Sequence, residues 1–253
     1  MIAVTSLVRT FGRGKNARTT LAGIDHEFPD GALTYLIGLN GTGKSTLLRL
    51  MSGVLAPTAG TVWVDGRDLR REPMPGRRLG MYLDADGFHP GHTARRHLRW
   101  LAAAAQAPAG RAEDLLELAG LAAVADRPIG GYSLGMRQRL GVASALVGNP
   151  RTIVLDEPMN GLDVAGVLWL RALLRDWADE GRCVIVADHD LAEIQRSGDR
   201  VVLLEDGRIA AAGTVAEIAQ THGGIERAFL DLVPRAGTDH RVPGGAATRR
   251  RRA

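Results

Sequence analysis

Residues 38–46 read GLNGTGKST, immediately after the apolar run LTYLI and at the start of a helical pattern over 44–52. Gly38 to Ser45 has the spacing G-x-x-x-x-G-K-[ST], in the strand–loop–helix setting that this motif requires. Glycines there let backbone N–H groups turn inward around phosphate oxygens, and the helix N-terminus adds partial positive charge. Gly38, Asn40, Gly41, Thr42, Gly43 and Thr46 make up the cradle. Lys44 is placed for the β- and γ-phosphates, and the Ser45 hydroxyl for Mg²⁺. The expected ligand is a nucleoside triphosphate with its magnesium ion.

Other short aliphatic runs end in turn signals: GTVWVDG (60–66), RTIVLDEP (151–158), CVIVADHD (183–190) and RVVLLEDG (200–207). With LTYLIG (33–38), such runs predict strands buried on both faces, as in a parallel sheet. Helical patterns at 44–52, 93–106, 111–120, 134–148, 164–180 and 190–196 lie between them, which predicts a doubly wound α/β core. From about 85 to 150 the chain is helical and alanine-rich with no convincing strand, and it reads as a helical insertion.

Asp156 and Glu157 close the run TIVLDEP, at a strand end where open α/β sheets bind ligands. Two acids at a strand end also fit a solvated terminus. Beside the phosphate loop they fit Asp156 as a Mg²⁺ holder, through water, and Glu157 as the general base that polarises attacking water.

Charge and composition exclude several alternatives. The formal charge is +4, but residues 234–253 hold six arginines against Asp239, which leaves the first 233 residues at −1. A nucleic-acid-binding domain carries its positive charge on the fold itself, so no nucleic-acid partner is expected. Cys183 is the only cysteine and sits in an apolar run, which fits a core thiol and rules out a disulfide framework within one chain. No stretch approaches the roughly 20 apolar residues of a membrane span, and the N-terminus lacks the pattern of a secretory signal. A cytoplasmic protein is expected, peripheral to the inner face of the cell membrane if it serves one.

Five segments in order, GLNGTGKS, YSLGM, IVLDEP, NGLD and ADHD, resemble those of the ATP-binding subunit of an ATP-binding cassette (ABC) transporter over about residues 1–233. The resemblance implies a P-loop NTPase core with a mostly parallel sheet, an N-terminal antiparallel β subdomain and a helical subdomain at about 85–150. It also implies ATP hydrolysis with Mg²⁺, a head-to-tail homodimer or a pair with a related ATPase subunit, and separate integral-membrane permease subunits. YSLGM (132–136) matches the signature motif, whose Ser133 and Gly135 would meet the γ-phosphate held by the opposite subunit. A serine cap and free N–H groups at a helix start suit an anion. Asp163 in NGLD would brace the opposing site. His189 matches the switch histidine that contacts the γ-phosphate, and Phe11 the aromatic that stacks on adenine, with a core phenylalanine as the rival reading.

Leu134 and Met136 depart from the commonest signature, and YSLGMRQRL is similar to the form found in drug- and antibiotic-export subunits. The ending GGIERAFLDLV (223–233) is similar to those subunits too. Asp84 stands where the family has a glutamine that senses Mg²⁺, and it keeps an oxygen ligand there. His89, His92 and His97 lie nearby without a cysteine, at helix-start spacing, which disfavours zinc. An exporter ATPase is the leading reading, and a soluble non-transport ABC ATPase is the alternative. Chromosome-type relatives are disfavoured, since Lys44 and Asp156 are 112 positions apart with no heptad run between them. The tail at 234–253 reads as a disordered, solvated basic segment. If instead it binds anionic lipid, worth about 1 kcal/mol per arginine near the surface, truncation at Val233 would lower liposome binding at low salt.

Overall fold

The computed structural model describes residues 1–85 and 87–232. In chain order its elements are β1 (Ile2–Phe11), β2 (Arg18–Phe28), β3 (Ala32–Ile37), α1 (Lys44–Met51), β4 (Ala59–Val64), β5 (Leu79–Tyr82), α2 (Ala94–Ala104), α3 (Arg111–Leu118) and α4 (Leu134–Ala145). There follow β6 (Thr152–Asp156), α5 (Val164–Asp179), β7 (Cys183–Ala187), α6 (Leu191–Ser197), β8 (Arg200–Glu205), β9 (Arg208–Thr214), α7 (Val215–His222) and α8 (Ile225–Leu232). The basic segment 234–253 lies outside the described residues.

Six strands form one sheet in the order β5-β6-β7-β3-β8-β9, parallel except for β9, which runs antiparallel to β8. All six residues of β3 are buried, and their alternation divides the core. Leu33, Tyr35 and Ile37 join Leu140, Leu170 and Leu174 of the helices on one face. Leu36 joins Leu47, Leu48 and Met51 of α1 on the other, with Leu7 and Leu21 from the antiparallel strands. Burying a side chain of this size contributes roughly 1.5–3 kcal/mol, so a strand apolar on both sides is held only with both layers in place. Cys183 lies in this interior, where burial pushes its thiol up to about 12, in keeping with the core role expected of it.

The strand at GTVWVDG corrects an expectation. It is not buried on both faces and does not join the parallel sheet. It is β4, mostly exposed, at the edge of a separate antiparallel sheet ordered β2-β1-β4. The run is short and alternates, with Trp63 facing outward, which is the pattern of a one-sided antiparallel strand. Helices α2, α3 and α4 follow one another between 94 and 145 without a strand among them.

Parallel strands deliver their carboxyl ends to one edge. Register pairs Asp156 with Ala187, Ala187 with Leu36, and Tyr82 with Leu155. The segments that begin at Gly38, Leu83, Glu157 and Asp188 therefore leave the sheet side by side. The helical layer is fixed against this edge by close approach: a Cβ on Gly141 of α4 would stand 2.2 Å from the Tyr82 ring. Gly141→Ala is accordingly expected to cost about 1–3 kcal/mol through overpacking. Urea unfolding should show a lower midpoint at unchanged slope, and an unchanged midpoint would contradict this packing.

Candidate functional site

At the carboxyl edge of β3 the phosphate loop opens into a cleft of about 460 Å³ lined by Asn40, Gly41, Gly43, Lys44, Ser45 and Thr46, with Glu157 opposite. The loop's shape depends on three left-handed glycines, Gly38, Gly41 and Gly43. Thr42 pins the turn by donating its hydroxyl to the Leu39 carbonyl at 2.9 Å. Lys44 is buried, and its Nζ donates to the carbonyls of Gly38 at 2.7 Å and Leu39 at 3.1 Å. Burial lowers its pKa, with Glu157 and Asp156 opposing. The ammonium is thus held over the loop's mouth.

Asp156 ends β6 and lines a cleft with Ser45. Burial raises its pKa above the ordinary value, the nearby Ser45 hydroxyl pulls against this, and neighbouring Glu157 adds to the rise. Glu157 turns left-handed, φ 45°, and its N–H donates to the Ala187 carbonyl at 2.9 Å, which swings its carboxylate toward the cleft. Asn160 Nδ2 donates to the Glu157 carboxylate. His189, two-thirds exposed, sets Nδ1 3.9 Å from Glu157 Oε1. Asp188, buried, folds this turn by accepting the N–H groups of His189 at 2.6 Å and Asp190 at 3.1 Å.

A second cleft of about 430 Å³ adjoins the first and brings Asp84 together with Ser45, Asp156, Glu157, Gln138 and Asn160. Ser45, Asp84 and Asp156 offer only oxygen donors, as a hard divalent cation such as Mg²⁺ prefers, and a raised carboxyl pKa beside a second carboxylate is what a cation would relieve. The residues present therefore fit the ion. The three histidines that follow do not converge: His89 and His92 rings lie 4.6 Å apart, while His97 turns to Phe88 at 5.1 Å.

Ser133 caps α4 by accepting the Met136 N–H at 3.2 Å, and Asp163 caps α5 through the Gly166 N–H at 2.7 Å. Gly135 packs on this second turn, where an added Cβ would sit 2.9 Å from the Gly161 carbonyl. Among the described residues lining the phosphate-loop cleft, Ser133, Gly135, Asp163 and His189 are absent. The structure thus gathers the phosphate loop, Asp84, Asp156 and Glu157, with Leu134 of the signature turn lining the second cleft, while Ser133 and Gly135 line neither cleft. Around these segments Leu39, Leu134, Val164 and Leu168 show apolar side chains to solvent.

Phe11 is exposed and lines the first cleft with Arg18 and Thr20, which separates it from the core. Sequence reasoning missed Arg18, Thr20, Gln138 and Asn160. Pairing residues 1–11 with 18–28 would have found the first of these, since register sets Arg18 opposite Phe11.

A family model described as ABC transporter matches residues 21–160. A lantibiotic transport ATP-binding protein of Streptococcus pyogenes is 30% identical over 83% of this chain and 89% of its own length. A bacitracin transport ATP-binding protein of Bacillus licheniformis is 32% identical over 83% of this chain and 68% of its own. Among solved structures, an ATP-binding subunit of an ABC transporter superposes with TM-score 0.82 at 26% identity, covering 92% of this chain and 99% of that one. A dimeric bacterial ABC transporter cassette gives 0.76 at 25% identity, over 85% and 98%.

Because the folded chain holds the Asp156 proton more tightly than the unfolded chain does, ionising this carboxyl costs stability as pH rises through its ordinary value. Asp156→Asn should therefore stabilise the nucleotide-free protein by about 1 kcal/mol at pH 7. The gain should fade as pH falls toward the ordinary carboxyl pKa of about 3.9. Thermal unfolding at the two pH values checks this, and a destabilised variant at pH 7 would refute it.

Proposed function

The chain belongs to the ABC transporter family of ATP-binding subunits, and from that premise we propose that this ATPase powers an exporter, closing head to tail with a second copy over two ATP molecules. The observation that carries the reading is the division of the site. The phosphate loop and the acids line two adjoining clefts, while Ser133 lines neither and caps a helix start beside exposed Leu134, Val164 and Leu168. A second copy would supply its own Ser133 and Gly135 N–H groups to the γ-phosphate over the phosphate-loop cleft. Asp163 would brace the opposing site across the same face.

In the closed pair, Lys44 would leave the loop carbonyls for the β- and γ-phosphates, and the loop N–H groups would hold the phosphate oxygens. Glu157 would take a proton from the attacking water as its oxygen bonds the γ-phosphorus. The bond to the bridging oxygen breaks, and ADP and phosphate leave. Asn160 would orient the Glu157 carboxylate, and His189 would hold the γ-phosphate beside it. Phe11 would stack on adenine, and Ser45, Asp84 and Asp156 would hold Mg²⁺, which neutralises phosphate charge when bound. Asp84 brings one more negative charge than the glutamine expected there, which favours tighter metal contact.

Export is supported by the lantibiotic and bacitracin transport relatives and by the signature variant YSLGMRQRL. Among the described residues no helix is long and apolar enough to cross a membrane, so the reading places transport in separate permease subunits. An apolar groove of about 450 Å³ between the sheet edge and the helical layer, lined by Leu79, Met81, Leu101 and Ala105, would seat a permease helix on the cytoplasmic side. The 1–233 segment would act as one ATP-binding domain, with its helical layer at 85–150 as the part that faces the permease.

Glu157→Gln is expected to lower kcat by about 10²–10⁴-fold while ATP affinity stays within about threefold, as loss of a general base requires. Steady-state hydrolysis and equilibrium binding on the purified chain separate the two. A variant that hydrolyses ATP at the unaltered rate would end the assignment of Glu157.

A further inference from the structure

The starts of α4 and α5 interlock. A Cβ on Gly161 would stand 2.3 Å from the Leu134 side chain, and one on Gly135 would stand 2.9 Å from the Gly161 carbonyl oxygen. The turns that Ser133 and Asp163 cap are therefore pressed together at one point. One such point fixes where two helix starts meet but leaves the angle between the helices free.

A second contact fixes the angle. Six residues beyond each cap, the Arg139 guanidinium carbon lies over the Trp169 ring, 4.5 Å from its centroid. The negative face of the indole attracts the cation. Both side chains also reach the end of α3: Trp169 Nε1 donates to the Leu118 carbonyl at 3.0 Å, and Arg139 Nη1 to the Ala119 carbonyl at 3.3 Å. A cation suits that end of a helix, where the last carbonyls carry partial negative charge. Both side chains are half-buried, so water screens the attraction only in part.

We infer that Arg139 and Trp169 are positioning residues for ATP hydrolysis, clamping α4 to α5 so that Ser133 and Asp163 meet a second copy as one preset surface. The inference rests on the head-to-tail reading above and adds what holds the donated surface in shape. Neither residue lines the phosphate-loop cleft or the cleft beside it, so both act through the helix starts and not on ATP. The clamp lies about 9 Å along α4 from Ser133, at 1.5 Å per residue. A slip of about 2 Å there would turn the helix start by roughly 10–15°, most of the tolerance of about 10–20° that a preorganised donor set has. The N–H groups of a helix start hold an anion only while they point at it. The phosphate loop is carried by β3 and α1, so binding of ATP to one chain does not depend on the clamp.

Mass in solution against protein concentration, with MgATP and in a Glu157→Gln background, measures the dimer dissociation constant. Adding Trp169→Ala should raise it by about tenfold or more, the size of a lost cation–π pair with its hydrogen bond. Calorimetric binding of MgATP to the same chain kept dilute should stay within about twofold, as for independent sites. Trp169→Phe keeps a ring face and loses the Nε1–H donor, so it should fall between the parent and Trp169→Ala. Combining Arg139→Gln with Trp169→Ala should add no more than about threefold to the effect of Trp169→Ala, because the shared contact is lost only once. If Trp169→Ala fails to fold, Arg139→Gln alone, which removes a side chain outside both cores, should raise the constant by about fivefold or more. A variant with a lower melting temperature and an unmoved dimer dissociation constant would overturn the clamp and leave the pair a structural contact. ATP affinity that falls by the same factor as dimerisation would overturn it too, since the change would then reach the cleft. A Glu157→Gln parent that binds ATP and stays monomeric would remove the shared-site reading and the clamp with it. A parent and variants that double in mass alike would overturn the clamp alone.

Discussion

A Cβ on Gly38 would stand 2.3 Å from the Leu204 carbonyl, and one on Gly43 would stand 2.7 Å from the Leu21 side chain. The phosphate loop is therefore a backbone pressed between two layers, β8 on one side and β2 on the other. Both glycines are also left-handed, at φ 153° and 108°, so no other residue serves either demand cheaply. A loop that must turn its N–H groups inward cannot hold that shape by itself. The parallel sheet and the antiparallel sheet have to be packed against each other first. Function at this site begins as a packing problem, and the double-sided burial of β3 is what solves it.

Much of this was legible in the sequence, for a physical reason. The strands β3, β6, β7 and β8 are buried on both faces, so they appear as unbroken aliphatic runs, and the chemical residues sit directly after their carboxyl ends. The strands β1 and β2 are covered on one face only. Their pairing is interrupted by register shifts at Val4/Leu7, Leu7/Val8 and Arg9/Thr10, which breaks the period-two pattern that would reveal them. Only the family resemblance pointed to an antiparallel unit there. The four-residue β5 carries a glycine and was invisible for its brevity. The helices α7 and α8 escaped notice as well, although the Thr214–Glu217 capping box marks where the first begins.

The site residues divide along the same line. Motif positions such as Lys44, Ser45, Asp156 and Glu157 follow buried strands and could be placed from the sequence. Residues that line the clefts from across a strand pair or a helix face, such as Arg18, Gln138 and Asn160, depend on register and packing that no local pattern records. Asn160 illustrates this: three positions beyond Glu157 it looks like turn chemistry, yet its amide donates to the carboxylate. Half-buried Asp156 and buried Asp188 both have pKa values raised by burial, so charge is held at this edge at some cost in stability. Such costs are tolerated where a ligand or a partner later repays them in binding.

The signature turn is the part least explained by one chain. Ser133 caps α4, Gly135 packs against Gly161, and neither lines the cleft whose phosphate they would suit. In the proposed exporter ATPase a second copy would close over that cleft. The direct measurement is the mass in solution of the Glu157→Gln chain, with and without MgATP, alone and combined with Ser133→Arg. An ATP-dependent doubling of mass that Ser133→Arg abolishes is the predicted result. A chain that binds ATP and stays monomeric, or a dimer indifferent to Ser133→Arg, would contradict the shared site.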